Sequence, residues 1–213
     1  MFYLYLLLAL ALLVGATFIA PLRHKVGVAF TAVAAASIAV AIPSIGVLAG
    51  AGQIELMSSI VSPLGEGKLS IDALSALFLL IIGAAGMATI LYSRGYLAHY
   101  LKKKSSAHIS MHYTALALLV LSMMLVVMAD GGFLFLFAWE LMTIASFLLI
   151  LFDAERTEVL RAALAYLVMM HIGFIFLVAG FVSIDSICGS SSFDWLAVCF
   201  ANGENTYIFI LFL

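Results

Sequence analysis

Hydrophobic residues in this chain form long continuous runs that are separated by short polar segments. Six of the runs are long enough to cross a bilayer as an α-helix, which takes about 20 apolar residues. They are Phe2–Ala20, Val26–Gly50, Ile71–Tyr92, Tyr113–Ala129, Gly132–Phe152 and Leu160–Ile184. The pattern predicts an all-α fold, a polytopic transmembrane helix bundle with six complete helices.

A seventh apolar run begins near Tyr207 and stops at Leu213, which is too short to span a membrane. The predicted bundle therefore includes only the start of a seventh helix. Since a mature protein rarely ends inside a helix, we expect a fragment, a truncated protein or one piece of a split protein.

The composition agrees with a membrane location. Of the 213 residues, 66% are hydrophobic and 9% are charged, and the mean hydropathy is +1.27. An average soluble domain carries about 25% charged residues. The composition therefore excludes a soluble domain and indicates a single transmembrane domain, residues 1–213, surrounded by the lipid bilayer.

The nine basic residues are distributed unequally between the two sides of the predicted bundle. All except Lys68 lie in or beside the segments that follow the first, third and fifth helices. The positive-inside rule places these segments in the cytoplasm and the N-terminus outside. The first apolar run also lacks basic residues before it, which favours a retained helix over a cleaved signal peptide.

Three connecting segments have compositions typical of loops or turns. Ala51–Ser70 contains Gly, Pro and Ser and is predicted to be a short outer surface loop. Gly95–Ser110 is predicted to be the longest inner loop. Asp130–Gly132 predicts a tight turn, because glycine permits positive φ. Asp72 stands at the outer start of the third helix, where helix capping is the favoured interpretation.

Glu140 is the only formal charge in the run Gly132–Phe152, and it lies near the middle. A carboxylate at that depth costs roughly 2.5 kcal/mol or more, so it is a candidate functional group. Of its neighbours one helical turn away, only Thr143 is polar, and its hydroxyl bonds either the carboxyl or its own backbone. A partner must come from another helix or from water, unless the carboxyl stays protonated. The alternative is a neutral glutamic acid that joins two helices by a hydrogen bond.

His171 lies near the middle of the sixth run. Its imidazole titrates near neutrality when unperturbed, so it is a candidate proton relay. The alternative is a core histidine bonded to a neighbouring carbonyl or hydroxyl group, and the residues alone leave the two interpretations equally open. The other histidines are interpreted as interfacial residues: His24, His99, His108 and His112.

Several kinds of site have no signature in this sequence. Histidine and cysteine spacings typical of metal sites do not occur, and neither does a phosphate-binding loop or a dinucleotide fingerprint. We therefore predict no metal, no cofactor, and no binding of nucleotide or nucleic acid. Cys188 and Cys199 both fall on the predicted outer side, where a disulfide and two unpaired residues are equally compatible with the spacing.

The stretch from Ile71 to Phe181 resembles the antiporter-like proton-pumping subunits of respiratory complex I and related complexes. The resemblance is carried by IDALSALFLL (71–80), LYSRGYLAHY (91–100), FLFAWELMTIASFLLILFD (135–153) and RAALAYLVMMHIGF (161–174). It implies that Glu140 is the family's functional glutamate, which pairs with a lysine on the following discontinuous helix. That lysine would lie beyond Leu213. The resemblance also implies that His171 belongs to the central polar axis.

Family members contain two inverted five-helix repeats, consistent with general transporter architecture. On this basis residues 1–70 hold two N-terminal helices and an outer loop, and residues 71–213 hold the third helix and an incomplete first repeat. The string YLVMMHIG is most similar to the branch in membrane-bound hydrogenases, including formate hydrogenlyase.

The resemblance implies a proton- or sodium-translocating subunit of a multisubunit redox complex in a prokaryotic inner membrane. Glu140 would titrate, His171 would relay protons, and Thr143 and Asp72 would support them. The chain would be non-catalytic, and partner subunits would carry the redox chemistry. Two alternatives stay open: a structural or assembly piece without its own ion path, and a subunit of a stand-alone cation/proton antiporter.

Overall fold

The computed structural model describes residues 24–62, 65–100 and 104–189, together with positions 15, 16, 19 and 193. Five helices in this part of the chain are long and apolar enough to cross a membrane. The predicted all-α membrane bundle is therefore confirmed. Apart from three positions, the predicted first helix lies outside the described residues, and so does the predicted start of the seventh.

Each of the five helices contains most of one apolar run, and several extend beyond it. Helix α1 is Lys25–Gly46 and continues as a π-helical turn, Val47–Ala51; α2 is Ala73–Ala98; α3 is Ser106–Met128; α4 is Gly132–Ile150, followed by a 3-10 turn, Leu151–Asp153; and α5 is Thr157–Cys188. Because these helices are apolar around most of their circumference, they satisfy their backbone groups internally and meet lipid or one another with side chains.

The inner loop predicted over Gly95–Ser110 is shorter than expected. Helix α2 extends to Ala98, and α3 begins at Ser106, well before the apolar run. The first two turns of α3 are rich in Ser and His, which lowers their hydropathy and hides the helix start. Ser105 caps this end, since its hydroxyl accepts a hydrogen bond from the backbone N–H of His108 at 3.4 Å.

The segment between α1 and α2 forms a β-hairpin, so the prediction of a surface loop there is wrong. Strand β1, Ile54–Ser62, pairs antiparallel with β2, Gly65–Ile71, and β2 pairs with the short strand β3, Ala129–Asp130. The side chain of Ile71 is fully buried in the helix core. The hairpin therefore closes one end of the bundle. Its strand pairing also supplies hydrogen bonds to backbone groups that would have to bond water in an irregular loop.

The two ends of the bundle differ in chemistry. The hairpin end contains the three strands and the turn between α3 and α4, where Gly131 has a φ of 136°, as predicted for a tight turn. The basic end contains Lys25, Arg94 and Lys104. Lys25 is 2% exposed, and its Nζ donates to the Ser106 carbonyl at 3.3 Å and to the Ser110 hydroxyl. This contact ties the start of α1 to the start of α3.

Helices α2 and α3 approach closely at Gly86. A Cβ atom added there would lie 2.6 Å from Cγ1 of Val120, a side chain that is 2% exposed. Gly95 lies on the same helix, and a Cβ atom at its position would meet nothing within 4 Å. The two glycines are therefore a matched pair for testing the packing.

We expect Gly86→Ala to lower the free energy of unfolding by roughly 1–3 kcal/mol, because the buried Val120 cannot move aside. Gly95→Ala should change it by less than about 1 kcal/mol, towards greater stability, because alanine favours the helix. Thermal unfolding of the full-length protein in detergent measures both. Equal effects of the two substitutions would contradict the close approach.

Asp72 caps helix α2, the interpretation that the sequence favoured. Its Oδ1 accepts a hydrogen bond from the backbone N–H of Ser75 at 2.7 Å. The hydrogen bonds from Ser75 lower the pKa of the Asp72 carboxyl below its usual value. The carboxylate is therefore held in its charged form at the hairpin end of the bundle.

We expect Asp72→Ala to cost about 1 kcal/mol of stability, the usual loss for a helix N-cap. A lowered pKa in the folded state means that this contribution is complete above the unfolded-state pKa of about 3.9 and fades as the pH falls through the lower folded-state value. Unfolding measured over a pH series tests this. Asp72→Asn is the control, since asparagine also caps but does not titrate; a pH-independent Asp72→Ala loss would contradict the account.

Candidate functional site

Glu140 lies on α4 and faces His171 on α5. His171 Nε2 is 3.1 Å from Glu140 Oε1, and the side chains are 46% and 25% exposed, respectively. The structure therefore places a polar partner from another helix beside Glu140. This is one of the possibilities that the sequence left open. The sequence had singled out both residues without placing them in contact.

The close packing of α4 on α5 sets the depth of this pair. At the hairpin end, a Cβ atom added to Gly132 would lie 2.4 Å from the Phe181 ring, so only glycine allows this approach. Glu140 follows Gly132 by eight residues and His171 precedes Phe181 by ten, which places them about 12 and 15 Å along their helices from that contact. Because the helices are antiparallel, the two side chains arrive at a similar depth.

The hydrogen bond made by the second nitrogen of His171 determines where hydrogens can lie in the pair. His171 Nδ1 is 2.9 Å from the backbone carbonyl oxygen of Leu167. A carbonyl can only accept, so Nδ1 carries a hydrogen and donates it. In a neutral imidazole Nε2 is then an acceptor, and it faces a carboxylate oxygen that is also an acceptor.

A hydrogen bond between Nε2 and Oε1 therefore requires one additional proton. That proton sits either on Nε2, giving imidazolium and carboxylate, or on Oε1, giving neutral imidazole and carboxylic acid. Both forms have no net charge. Loss of the proton leaves two acceptors facing each other and a net charge of −1 in an apolar setting. At 3.1 Å the two atoms are close enough to share such a proton.

The other carboxyl oxygen of Glu140 has a different environment. Oε2 is buried and has no hydrogen-bond partner among the described residues. A buried polar atom in that condition costs about 1–3 kcal/mol. Thr143 does not compensate, because its hydroxyl donates to the Trp139 carbonyl at 3.0 Å. Of the two alternatives for Thr143, the structure shows the bond to its own backbone.

The remaining sequence candidates lie apart from this pair. Asp72 caps α2 at the hairpin end, away from the middle of the bundle. Cys199 lies outside the described residues, so the choice between a disulfide with Cys188 and two unpaired residues stays open. In the described part of the chain, no three His, Cys, Asp or Glu residues come together in a way that could hold a metal ion.

The sequence reasoning missed a second polar cluster at the basic end. Lys104 is almost buried there, with Nζ 2.9 Å from the Phe152 carbonyl, 3.5 Å from Asp153 and 3.0 Å from Glu155. These contacts fix the end of α4 to the start of α3. In the sequence, Lys104 is the last of three consecutive lysines that count only as charges orienting the bundle, and nothing in their spacing indicates that Lys104 is buried.

Residues 129–213 match the family described as NADH:quinone oxidoreductase/Mrp antiporter, TM. The predicted resemblance to antiporter-like membrane subunits is therefore confirmed. An uncharacterized protein of Mycobacterium tuberculosis (strain CDC 1551 / Oshkosh) is 34% identical over 152 residues, which are 71% of this chain and 22% of that protein. Na(+)/H(+) antiporter subunit A1 of Staphylococcus haemolyticus is 35% identical over 123 residues, which are 58% of this chain and 14% of the relative.

Two solved membrane assemblies contain chains with this antiporter-like fold. The Mrp complex from Dietzia sp. DQ12-45-1b matches with a TM-score of 0.71 and 24% identity over 97% of this chain and 23% of that one. The membrane-bound sulfane sulfur reductase, an archaeal respiratory membrane complex, matches with a TM-score of 0.71 and 17% identity over 88% and 37%. At these identities the likeness shows the fold alone. The chain spans 22% and 14%, respectively, of the length of the two curated relatives described above.

We expect the Glu140–His171 contact to appear as energetic coupling. Replacing either residue by Leu leaves the other with an unpaired polar group, so the double variant should be more stable than additivity predicts, by about 1–3 kcal/mol. Unfolding of the wild-type protein, the two single variants and the double variant in detergent gives this coupling energy. The cycle that combines Glu140→Leu with Thr143→Val is the control and should be additive, since that hydroxyl bonds its own helix. Additivity in both cycles would contradict the contact.

Proposed function

We propose that this chain is the part of an ion-translocating membrane subunit that holds a proton inside the bilayer on the Glu140–His171 pair. The 3.1 Å contact between His171 Nε2 and Glu140 Oε1, with Nδ1 already donating to Leu167, is the observation that supports this most strongly. Ionisable groups within transmembrane helices are rare and commonly belong to ion or proton pathways. A pair that shares one proton across two helices has the chemistry such a pathway needs.

The net charge of the pair determines when it binds a proton and when it releases one. In apolar surroundings the protonated, neutral pair is favoured, and a cation brought close to Glu140 favours loss of the proton. The family resemblance implies that a lysine on the following discontinuous helix is that cation.

The proposed assembly is a multisubunit antiporter or respiratory complex. One relative is named Na(+)/H(+) antiporter subunit A1, and the chains of similar fold come from an Mrp complex and from a respiratory membrane complex. These likenesses support other membrane subunits as partners and a prokaryotic cytoplasmic membrane as the location. The hydrogenase branch and the redox partner subunits stay predictions, and the named relative favours the cation/proton antiporter alternative.

We expect Glu140→Gln in the full-length protein to lower ion translocation by about two orders of magnitude, the usual scale for loss of a proton-transferring group. The glutamine N–H can donate to His171 Nε2, so the helix contact and the assembly should be kept. The measurement is cation-driven proton movement in inverted membrane vesicles, with the amount of assembled complex quantified in the same vesicles.

Glu158→Gln is the matched control, because Glu158 is an exposed residue in the first turn of α5. It should leave translocation unchanged. The competing hypothesis, a chain that serves only assembly, predicts normal translocation in the Glu140→Gln complex. That result would overturn the proposed function.

A further inference from the structure

The part of the basic end formed by α1, α2 and α3 carries positive charge without any acidic residue. Residues 1–54 and 73–129 include all three helices and the segments beside them at that end, and they contain no Asp or Glu. They contain six of the nine basic residues of the chain: Arg23, Lys25, Arg94, Lys102, Lys103 and Lys104. The sequence of these segments therefore offers no carboxylate to offset that charge.

The rest of the basic end, around the connection between α4 and α5, is balanced instead. This connection and the first two turns of α5 contain three acidic and two basic residues: Asp153, Glu155, Glu158, Arg156 and Arg161. Lys104 reaches the connection and pairs with two of the carboxylates. With Lys104 counted, three positive charges meet three negative ones. The net positive charge of the basic end is thus confined to α1, α2 and α3.

Two of the cations converge on one face of α3, near its start. Lys25, the first residue of α1, donates a hydrogen bond to the Ser110 hydroxyl. On α2, Ser93 makes a hydrogen bond with the Tyr113 hydroxyl, and the neighbouring Arg94 interacts electrostatically with Tyr113. Because Ser110 and Tyr113 are three residues apart, they lie on the same face of the helix. The fold therefore brings together two positive charges that are far apart in the sequence.

These two cations are not paired with carboxylates. None of the ion pairs in the described part of the chain includes Lys25 or Arg94. Helices α1 and α3 both begin at this end without an acidic residue in the first turn, so their dipoles add positive charge rather than offset it. Lys25 is 2% exposed, whereas Arg94 is exposed. An anion from outside the chain can therefore meet Arg94, while Lys25 attracts it from the interior.

The residues around Arg94 indicate what kind of anion is available there. Tyr92 and Tyr96 flank Arg94 on α2 and are 75% and 46% exposed. Exposed tyrosines near the end of a transmembrane helix are typical of the headgroup level of a bilayer. The anion present at that level is the phosphate of a phospholipid, and a guanidinium group matches phosphate with two parallel hydrogen bonds.

We propose that Arg94, Lys25 and the start of α3 form a binding site for the headgroup of an anionic phospholipid. Arg94 binds the phosphate, and Lys25 strengthens the attraction. The positive-inside rule places this site in the cytoplasmic leaflet. The site is independent of the Glu140–His171 pair, which lies near the middle of the bundle. The part of the same end around α4 and α5 has no net charge and does not select anionic lipid.

The test is photo-crosslinking in phosphatidylcholine nanodiscs that contain the full-length complex. A trace of photoreactive phosphatidylglycerol, or of photoreactive phosphatidylcholine with the same acyl chains, is added, and mass spectrometry quantifies the lipid attached to residues 92–113. We expect more phosphatidylglycerol than phosphatidylcholine on the wild-type protein. Arg94→Gln should lower this ratio about fivefold, the scale for one basic residue near a membrane surface. Arg161→Gln is the matched control, since Arg161 is also exposed but belongs to the balanced part, and it should leave the ratio unchanged.

Each outcome of this comparison decides the proposal. A ratio that falls in Arg94→Gln and is kept in Arg161→Gln supports it. An equal fall in both variants, or no preference in the wild-type complex, as expected if an acidic partner subunit covers the site, overturns it. Inorganic phosphate is compared with chloride at equal ionic strength, because both screen charge alike. A larger loss of crosslinking with phosphate would show that a soluble anion takes the site, which would overturn the assignment to a lipid.

Discussion

The contact between His171 Nε2 and Glu140 Oε1 places two groups that can share one proton 3.1 Å apart. Because Nδ1 of the same ring donates to the Leu167 carbonyl, the contact is a hydrogen bond only while one further proton is present. An unpaired carboxylate in an apolar helix is costly, so the contact with His171 stabilises Glu140 at this depth. The remaining features of the bundle place these two side chains at one depth and hold them there.

The packing that sets this depth comes from both ends of the bundle. At the hairpin end, Gly132 lets the Phe181 ring rest against the start of α4, and β3 leads directly into the turn before it. At the basic end, Lys104 binds the Phe152 carbonyl and two carboxylates, which fixes the end of α4. With α4 held at both ends, the position of Glu140 relative to α5 follows from the helical repeat.

The apolar runs were sufficient to predict the membrane bundle, because a helix that faces lipid must be apolar over a length set by the bilayer. They were not sufficient for the segment between α1 and α2. Its strands pair with irregular register, and Ile71 is buried because β2 packs across the helix ends. The start of α3 was missed for a related reason, since its polar first turns are stabilised by a cap and by Lys25 rather than by contact with lipid.

The candidate site was predictable in part. Glu140 stands out by its charge alone, but its contact with His171 depends on the rotation of two helices, which hydropathy does not specify. The burial of His112 Nδ1 and of Lys104 depends equally on how α3 meets the end of α4. Such contacts arise from residues far apart in the chain, and the local pattern around each residue resembles that of an ordinary interfacial side chain.

The shared proton can be tested directly by nitrogen-15 NMR of the histidine side chains in the full-length protein. The account predicts that His171 Nδ1 carries a hydrogen, that Nε2 shows a hydrogen bond, and that the Nε2 signal is altered in Glu140→Gln while the Nδ1 signal is kept. A hydrogen-free Nδ1, or an identical Nε2 signal in the Glu140→Gln protein, would contradict it.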